Sequence, residues 1–283
     1  MPPSPDPAVP DYLVIGAMKC GSSTVCAYLE DHPDTYMVPR CEPDFFCDPD
    51  RAARGRDWYA GLFADARPGQ LRGEGSNNYA AGALFPGTPG RIHAHAPDVR
   101  LVYMVRHPLD RIVSAWVQNR VDQGRGVPAS VDAAVTLMPD RYVDQSLYWR
   151  NLQAYRKLFP DERILVGFME DLRDDPDAFW RRLTGFLGVA PRLPDRPHVN
   201  PSASKAVPGP LYSMLDAVPG SFALRRALLP AGLRRLVKER ILSRPAAGVA
   251  LAPATRARLA EVVGPDARAL LRHCGKPEDF WAI

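Results

Sequence analysis

Short, wholly apolar runs separated by amphipathic stretches dominate the chain. Tyr12-Leu13-Val14-Ile15 is the first, the pattern of a strand buried on both faces. Val99 to Arg106 (VRLVYMVR) and Ile164 to Phe168 (ILVGF) repeat it. Helical spacing fills the intervals. Ser22, Ser23 and Thr24 open a helix that continues through Val25 to Leu29. Pro33 stops it, because proline disfavours helical geometry at His32. Ile112, Val113, Trp116 and Val117 give one apolar face to a helix from about Leu109 to Gln123. Further helices are expected over Trp58 to Phe63, Val131 to Leu137, Leu147 to Phe159 and Pro176 to Leu187, the last with proline in its first turn. Gln70 to Glu74 reads as a brief strand. Ala254 to Cys274 reads as a helical pair interrupted at Gly264-Pro265. Strands alternating with helices predict an α/β fold with a central parallel sheet flanked by helices.

The interval after the first strand changes the picture most. Gly16 to Gly21 is a glycine-bounded loop between a strand and a helix start. Exposed backbone N–H groups and the positive end of the helix dipole favour an anion there. The spacing is P-loop-like and extends the expectation to a P-loop-like three-layer fold. A Walker A loop places lysine directly after its second glycine. Here Ser22 follows Gly21, and the lysine, Lys19, lies inside the loop. Lys19 is therefore expected over the 5′ end of a bound nucleotide rather than at a γ-phosphate. An ordinary strand-to-helix turn holding a lysine has the same local pattern. The residues assigned to the cradle are Lys19, Cys20, Gly21, Ser22, Ser23 and Thr24.

A second candidate follows the second long strand. Arg106 sits at a strand's carboxyl edge, where open α/β sheets bind ligands. Ser114 lies one to two turns into the next helix. A guanidinium binds phosphate oxygens bidentately, so Arg106 with Ser114 suits a second phosphate. Two phosphate sites on one sheet edge indicate a nucleotide with phosphates at both its 5′ and 3′ positions.

Composition bounds the rest. The 283 residues suit a single domain, expected over 11–283 behind a proline-rich, disordered lead at 1–10. An apolar fraction of 46% suffices for a full core. No apolar run approaches the roughly 20 residues of a membrane span, and MPPSPDPAVP lacks the features of a signal peptide. Cys20, Cys26, Cys41, Cys47 and Cys274 show no metal spacing, and their odd number suits reduced thiols. A cytoplasmic protein without a metal is expected. The net charge of +4 is small and argues against a nucleic-acid partner. It is concentrated in a basic helical segment at 224–244, seven Arg/Lys against one Glu. That segment reads as surface helices packed on the core. Its second reading is contact with an anionic membrane or a lipid-linked acceptor. Pro191 to Pro210 holds six prolines and reads as a long loop.

GAMKCGSST followed by VRHPLDRIVSAW resembles the sulfotransferases that use 3′-phosphoadenosine 5′-phosphosulfate (PAPS), especially the branch with heparan sulfate and bacterial sulfotransferases. The resemblance implies that Lys19 to Ser23 hold the 5′-phosphosulfate, and that Arg106 and Ser114 hold the 3′-phosphate. His32-Pro33 followed by Glu42-Pro43-Asp44-Phe45-Phe46 is similar to the family's HP…KEPxFF, and Gly73 to Tyr79 looks like its GEKSPxY. Phe159 to Leu172, Asn200 to Lys205 and Leu270 to Trp281 resemble later family segments. By this resemblance Glu42 is the base that takes the acceptor's proton, and Lys205 is a cofactor contact from a covering loop. Sulfuryl transfer builds charge on the bridging oxygen, and Lys19 is placed to meet it. His93 and His95, on an exposed-looking helix, His107 and His198 are weaker candidates for the base.

Two family lysines are replaced, by Cys41 and by Gly75. Both departures point away from a highly anionic glycosaminoglycan. The expected acceptor is a hydroxyl on a sugar or a small secondary metabolite, the latter suited by the Ala/Arg/Pro-rich composition. A P-loop kinase and a non-catalytic nucleotide-binding module are the alternatives. The missing lysine after Gly21 argues against the first, and the pairing of Lys19 with Glu42 against the second.

Overall fold

The structure is a computed structural model that describes residues 6, 8–39, 42–123, 126–193, 206–208, 243–245 and 248–283. Elements below are numbered among those residues. Five parallel strands form one sheet in the order β2-β3-β1-β4-β5. They are β1 (Tyr12–Gly16), β2 (Thr35–Met37), β3 (Leu71–Gly75), β4 (Arg100–Val105) and β5 (Ile164–Phe168). The apolar run of β1 is fully buried because β1 is the central strand, with Leu13 paired to Glu74 on one side and Leu101 on the other.

Helices flank this sheet. They are α1 (Ser22–Asp31), α2 (Pro49–Ala52), α3 (Gly55–Gly61), α4 (Thr88–His95), α5 (Pro108–Gln123), α6 (Val131–Leu137), α7 (Pro139–Tyr142), α8 (Tyr148–Arg156), α9 (Met169–Asp174), α10 (Pro176–Leu187) and α11 (Pro253–His273). The expected α/β class and parallel sheet are thus present. A large core covers the sheet. A second cluster joins Ile112 and Trp116 of α5 to Val131 and Val135 of α6 and Leu259 and Val263 of α11. This second core clamps α5 from behind, which matters because α5 carries one wall of the site.

Several expectations change. The helix expected in two pieces is continuous through Pro265. Proline removes one backbone bond, but Leu259, Val263, Ala267, Leu270 and Leu271 are buried along one stripe, and that packing holds the helix together. The hydroxyl residues at the start of α1 lie inside its first turn. Gly21, at φ 91°, is the cap and supplies no side-chain bond. The lead is packed from Ala8 onward: Ala8 is buried, and its carbonyl is 2.7 Å from His95 Nε2. Positions 206–208, expected in a loop, form β6 (Ala206–Pro208), antiparallel to β7 (Ser243–Pro245). The last two residues of the expected basic helical segment are therefore strand. Its other residues, with Arg40, Cys41, His198 and Lys205, lie outside the described residues. Among the described residues, no helix is long and apolar enough to cross a membrane.

Candidate active site

The carboxyl ends of β1, β3 and β4 meet at one edge of the sheet, and each releases a loop that carries chemistry. The loop after β1 turns tightly: Ala17 N donates to Met104 O at 2.8 Å, and Cys20 N donates to Ala17 O at 3.2 Å. Lys19 takes the left-handed conformation, φ 70°, which costs a non-glycine residue about 1 kcal/mol. Its ammonium donates to Gln118 Oε1 on α5 at 3.2 Å, and Gln118 donates in turn to Asp122 at 2.6 Å. Lys19 thereby faces the helix that bears Ser114, one turn before Gln118. No side chain caps α1, so the positive N-terminal end of the helix adjoins the loop. This cradle suits a phosphate group.

Cys20 does not present its side chain to that cradle. Its thiol is fully buried, 3.5 Å from the Tyr148 hydroxyl, and burial pushes it up to about 11. Only its backbone is left for a ligand. Ser22 is also buried, and its hydroxyl donates to Asn77 Oδ1 at 2.8 Å. Ser23 is exposed, and Thr24 is half-buried.

The β4 loop supplies the second wall. Arg106 follows the strand directly and, among the described residues, pairs with Asp110 at 4.0 Å. Ser114 is buried on α5. His107 is held by its backbone, whose N–H donates to Glu170 Oε1 at 2.8 Å. Sequence reasoning passed over Arg111, which proves central. It is fully buried and donates to Met18 O at 3.2 Å, Tyr142 O at 2.9 Å, Ser146 Oγ at 3.3 Å and Gln145 Oε1 at 2.5 Å. Arg111 thus ties the cradle to α5. Its place inside the Arg106 to Ser114 motif was the available signal.

Glu42 lies on the loop after β2, and the structure brings it to the cradle. Asn77 Nδ2 donates to Glu42 Oε1 at 2.6 Å, while Asn77 Oδ1 holds Ser22 of α1. One side chain therefore bridges the expected base and the cradle. Solvent reaches Glu42, yet the surrounding loop desolvates it and raises its pKa. The hydrogen bond from the Asn77 side chain opposes the rise, and Asp44 adds to it.

Behind this loop lies a carboxylate that sequence reasoning did not single out. Glu74, at the end of β3, is fully buried. It accepts from Tyr79 at 2.7 Å, Ser76 at 2.9 Å and Tyr59 at 3.3 Å. Burial raises it to about 7 against the lowering effect of these hydroxyls. The same hydroxyls anchor the Glu42 loop: Ser76 accepts Asp44 N at 3.0 Å, and Tyr79 accepts Phe46 N at 3.5 Å. Next to Glu74, a side chain at Gly75 would require Cys26 and Met37 to shift. A Cβ there would stand 2.6 Å from Cys26 Sγ and 3.0 Å from Met37 Cε.

The weaker histidine candidates sit elsewhere. His95 packs among Phe45, Phe46 and Tyr59, and His93 lies edge-on to Phe159. Both are half-buried, not exposed as expected, because aromatic residues cover this face of α4.

A family model for the sulfotransferase domain matches residues 9–198. This chain belongs to the sulfotransferase family. It is 30% identical over 211 residues to mouse heparan sulfate glucosamine 3-O-sulfotransferase 6, across 70% of this chain and 58% of that protein. It is 28% identical over 196 residues to mouse heparan sulfate glucosamine 3-O-sulfotransferase 3B1, across 66% and 48%. The sulfotransferase chain spans about half the length of the curated relatives it matches. A sulfotransferase from Alicyclobacillus acidocaldarius shares its fold, with TM-score 0.68 and 22% identity over 97% of this chain and 99% of that one. A mouse sulfotransferase complexed with PAP also shares it, with TM-score 0.51 and 15% identity over 92% and 84%.

Proposed function

We propose that this sulfotransferase chain moves a sulfuryl group from PAPS to a hydroxyl of a sugar or a small secondary metabolite. The observation that carries the reading is the Glu42–Asn77–Ser22 link, which sets a carboxylate of raised pKa beside a phosphate cradle. The donor supplies an activated sulfuryl group with the nucleotide 5′-phosphate as leaving group. Lys19, Ser22 and the first-turn amides of α1 would hold its 5′ end, and Arg106 with Ser114 its 3′-phosphate. The acceptor oxygen bonds to sulfur as the bridging S–O bond breaks. The bond's electron pair goes to the phosphate oxygen, and the acceptor's proton goes to Glu42. A group of raised pKa is a better base once ionised. The Lys19 ammonium offsets charge growing on the leaving oxygen.

The lack of a cation at Gly75, where the family pattern has lysine, supports an acceptor of low negative charge. The curated relatives named for heparan sulfate are therefore an imperfect guide to this chain's acceptor. The proposal extends to a cytoplasmic setting, supported by free thiols at Cys20, Cys26, Cys47 and Cys274. The experiment is a screen of hydroxyl acceptors with sulfur-labelled PAPS. Labelled product from a neutral acceptor, lost in Glu42→Gln, is expected. Nucleotide binding without transfer to any acceptor would sink the assignment.

A further inference from the structure

Asn77 stands where the GEKSPxY pattern has proline, a residue with no side-chain amide. Its side chain contacts two elements at once, Glu42 after β2 and Ser22 at the start of α1. Chemistry fixes which end faces which. A carboxylate only accepts, so the amide nitrogen must face Glu42. The amide oxygen then faces Ser22, whose hydroxyl must donate to it. Ser22 has one proton to give. An oxyanion in the cradle competes for that proton, and Asn77 Oδ1 then loses the donor that sets its orientation.

Resting on the assignment of Glu42 as base, we propose that Asn77 is a positioning residue: it couples occupancy of the phosphate cradle to the aim of the Glu42 carboxylate. With the cradle empty, the amide pins Glu42 toward the end of β3. With the donor's phosphate drawing on Ser22, the amide turns and carries the Glu42 carboxylate, still hydrogen-bonded to it, toward the acceptor hydroxyl. Among the described residues, the other groups acting on this carboxylate are Asp44 on its own loop and the Cys26 thiol of α1. Neither reaches the cradle through Ser22, so the coupling belongs to Asn77. This coupling favours donor binding before the acceptor.

The test measures kcat and KM against pH for Asn77→Ala, Ser22→Ala and the double variant, with Glu42→Gln as reference and thermal melts as folding control. Asn77→Ala is expected to lower kcat about tenfold, with KM for PAPS changed less than about threefold. Losing an amide bond to the carboxylate should move the acid limb up by about half a unit to one unit. Ser22→Ala should shift that limb in the parent but not in Asn77→Ala. An unmoved acid limb in a folded Asn77→Ala variant, or fully additive effects, would overturn the coupling while leaving the base intact. Full activity in Glu42→Gln would remove the base assignment itself, and the coupling with it.

Discussion

Two carboxylates thirty-two positions apart show how environment divides labour. Glu42 and Glu74 both carry raised pKa values, and desolvation is the largest cause in each. Glu74 is the more perturbed, at about 7, yet three hydroxyls enclose it and nothing but protein touches it. Glu42 is less perturbed but faces solvent beside the cradle. A raised pKa marks a candidate, and access decides between a base and a structural hub. The hub serves the proposed base: through Ser76 and Tyr79, Glu74 fixes the backbone of Asp44 and Phe46, just beyond Glu42.

The widest separation between the two should come from Glu42→Gln. Turnover is expected to fall by roughly 10²–10⁴, with affinity for 3′-phosphoadenosine 5′-phosphate unchanged by calorimetry. If nucleotide affinity collapsed as well, Glu42 would belong to the cradle. Glu74→Ala should act on stability instead. It strips three buried hydroxyls of their acceptor, at about 1–3 kcal/mol each. Urea denaturation should therefore show a loss of at least about 3 kcal/mol, and no loss would mean the hub is ornamental.

Glu74→Gln sharpens the contrast through pH. A carboxyl whose pKa rises on folding binds its proton more tightly in the folded state. Its unfavourable contribution is absent below the unfolded value near 4.3 and grows as pH climbs to about 7. Parent stability should therefore decline across that window, and Glu74→Gln should flatten the decline. A parallel decline in both proteins would move the titration elsewhere. The smallest effect is expected on the donor side. Ser114→Ala removes the hydrogen bond proposed to reach the 3′-phosphate, so nucleotide affinity should drop roughly tenfold, with the acid limb of activity left in place.

The cradle was legible because it is local. Strand, glycine loop and helix start are contiguous, and the residues that make them are fixed by backbone geometry over thirteen positions. Arg106 and Ser114 were legible for the same reason, being one strand end and the helix that follows. Lys19 was read correctly as lying inside the loop, but its partner Gln118 was not, since 99 positions separate them. Cys20 was assigned to the ligand, and the fold turned its thiol toward Tyr148, because side-chain direction in a tight loop depends on what packs beneath it. Pro265 was read as a break, and burial of one helical stripe overrode it.

By itself the sequence determined the alternating α/β order, the buried central strand, the displaced lysine and the two motifs proposed to hold phosphates, all features of short range. Only the tertiary structure decided that Glu74 is enclosed while Glu42 is open, that Arg111 braces the cradle, and that Asn77 joins base to cradle. Those facts rest on which loops a parallel sheet brings to one edge. Sequence neighbours share a backbone path, whereas desolvation and hydrogen bonding depend on spatial neighbours, and β2, β3, β1 and β4 meet only once the sheet has formed.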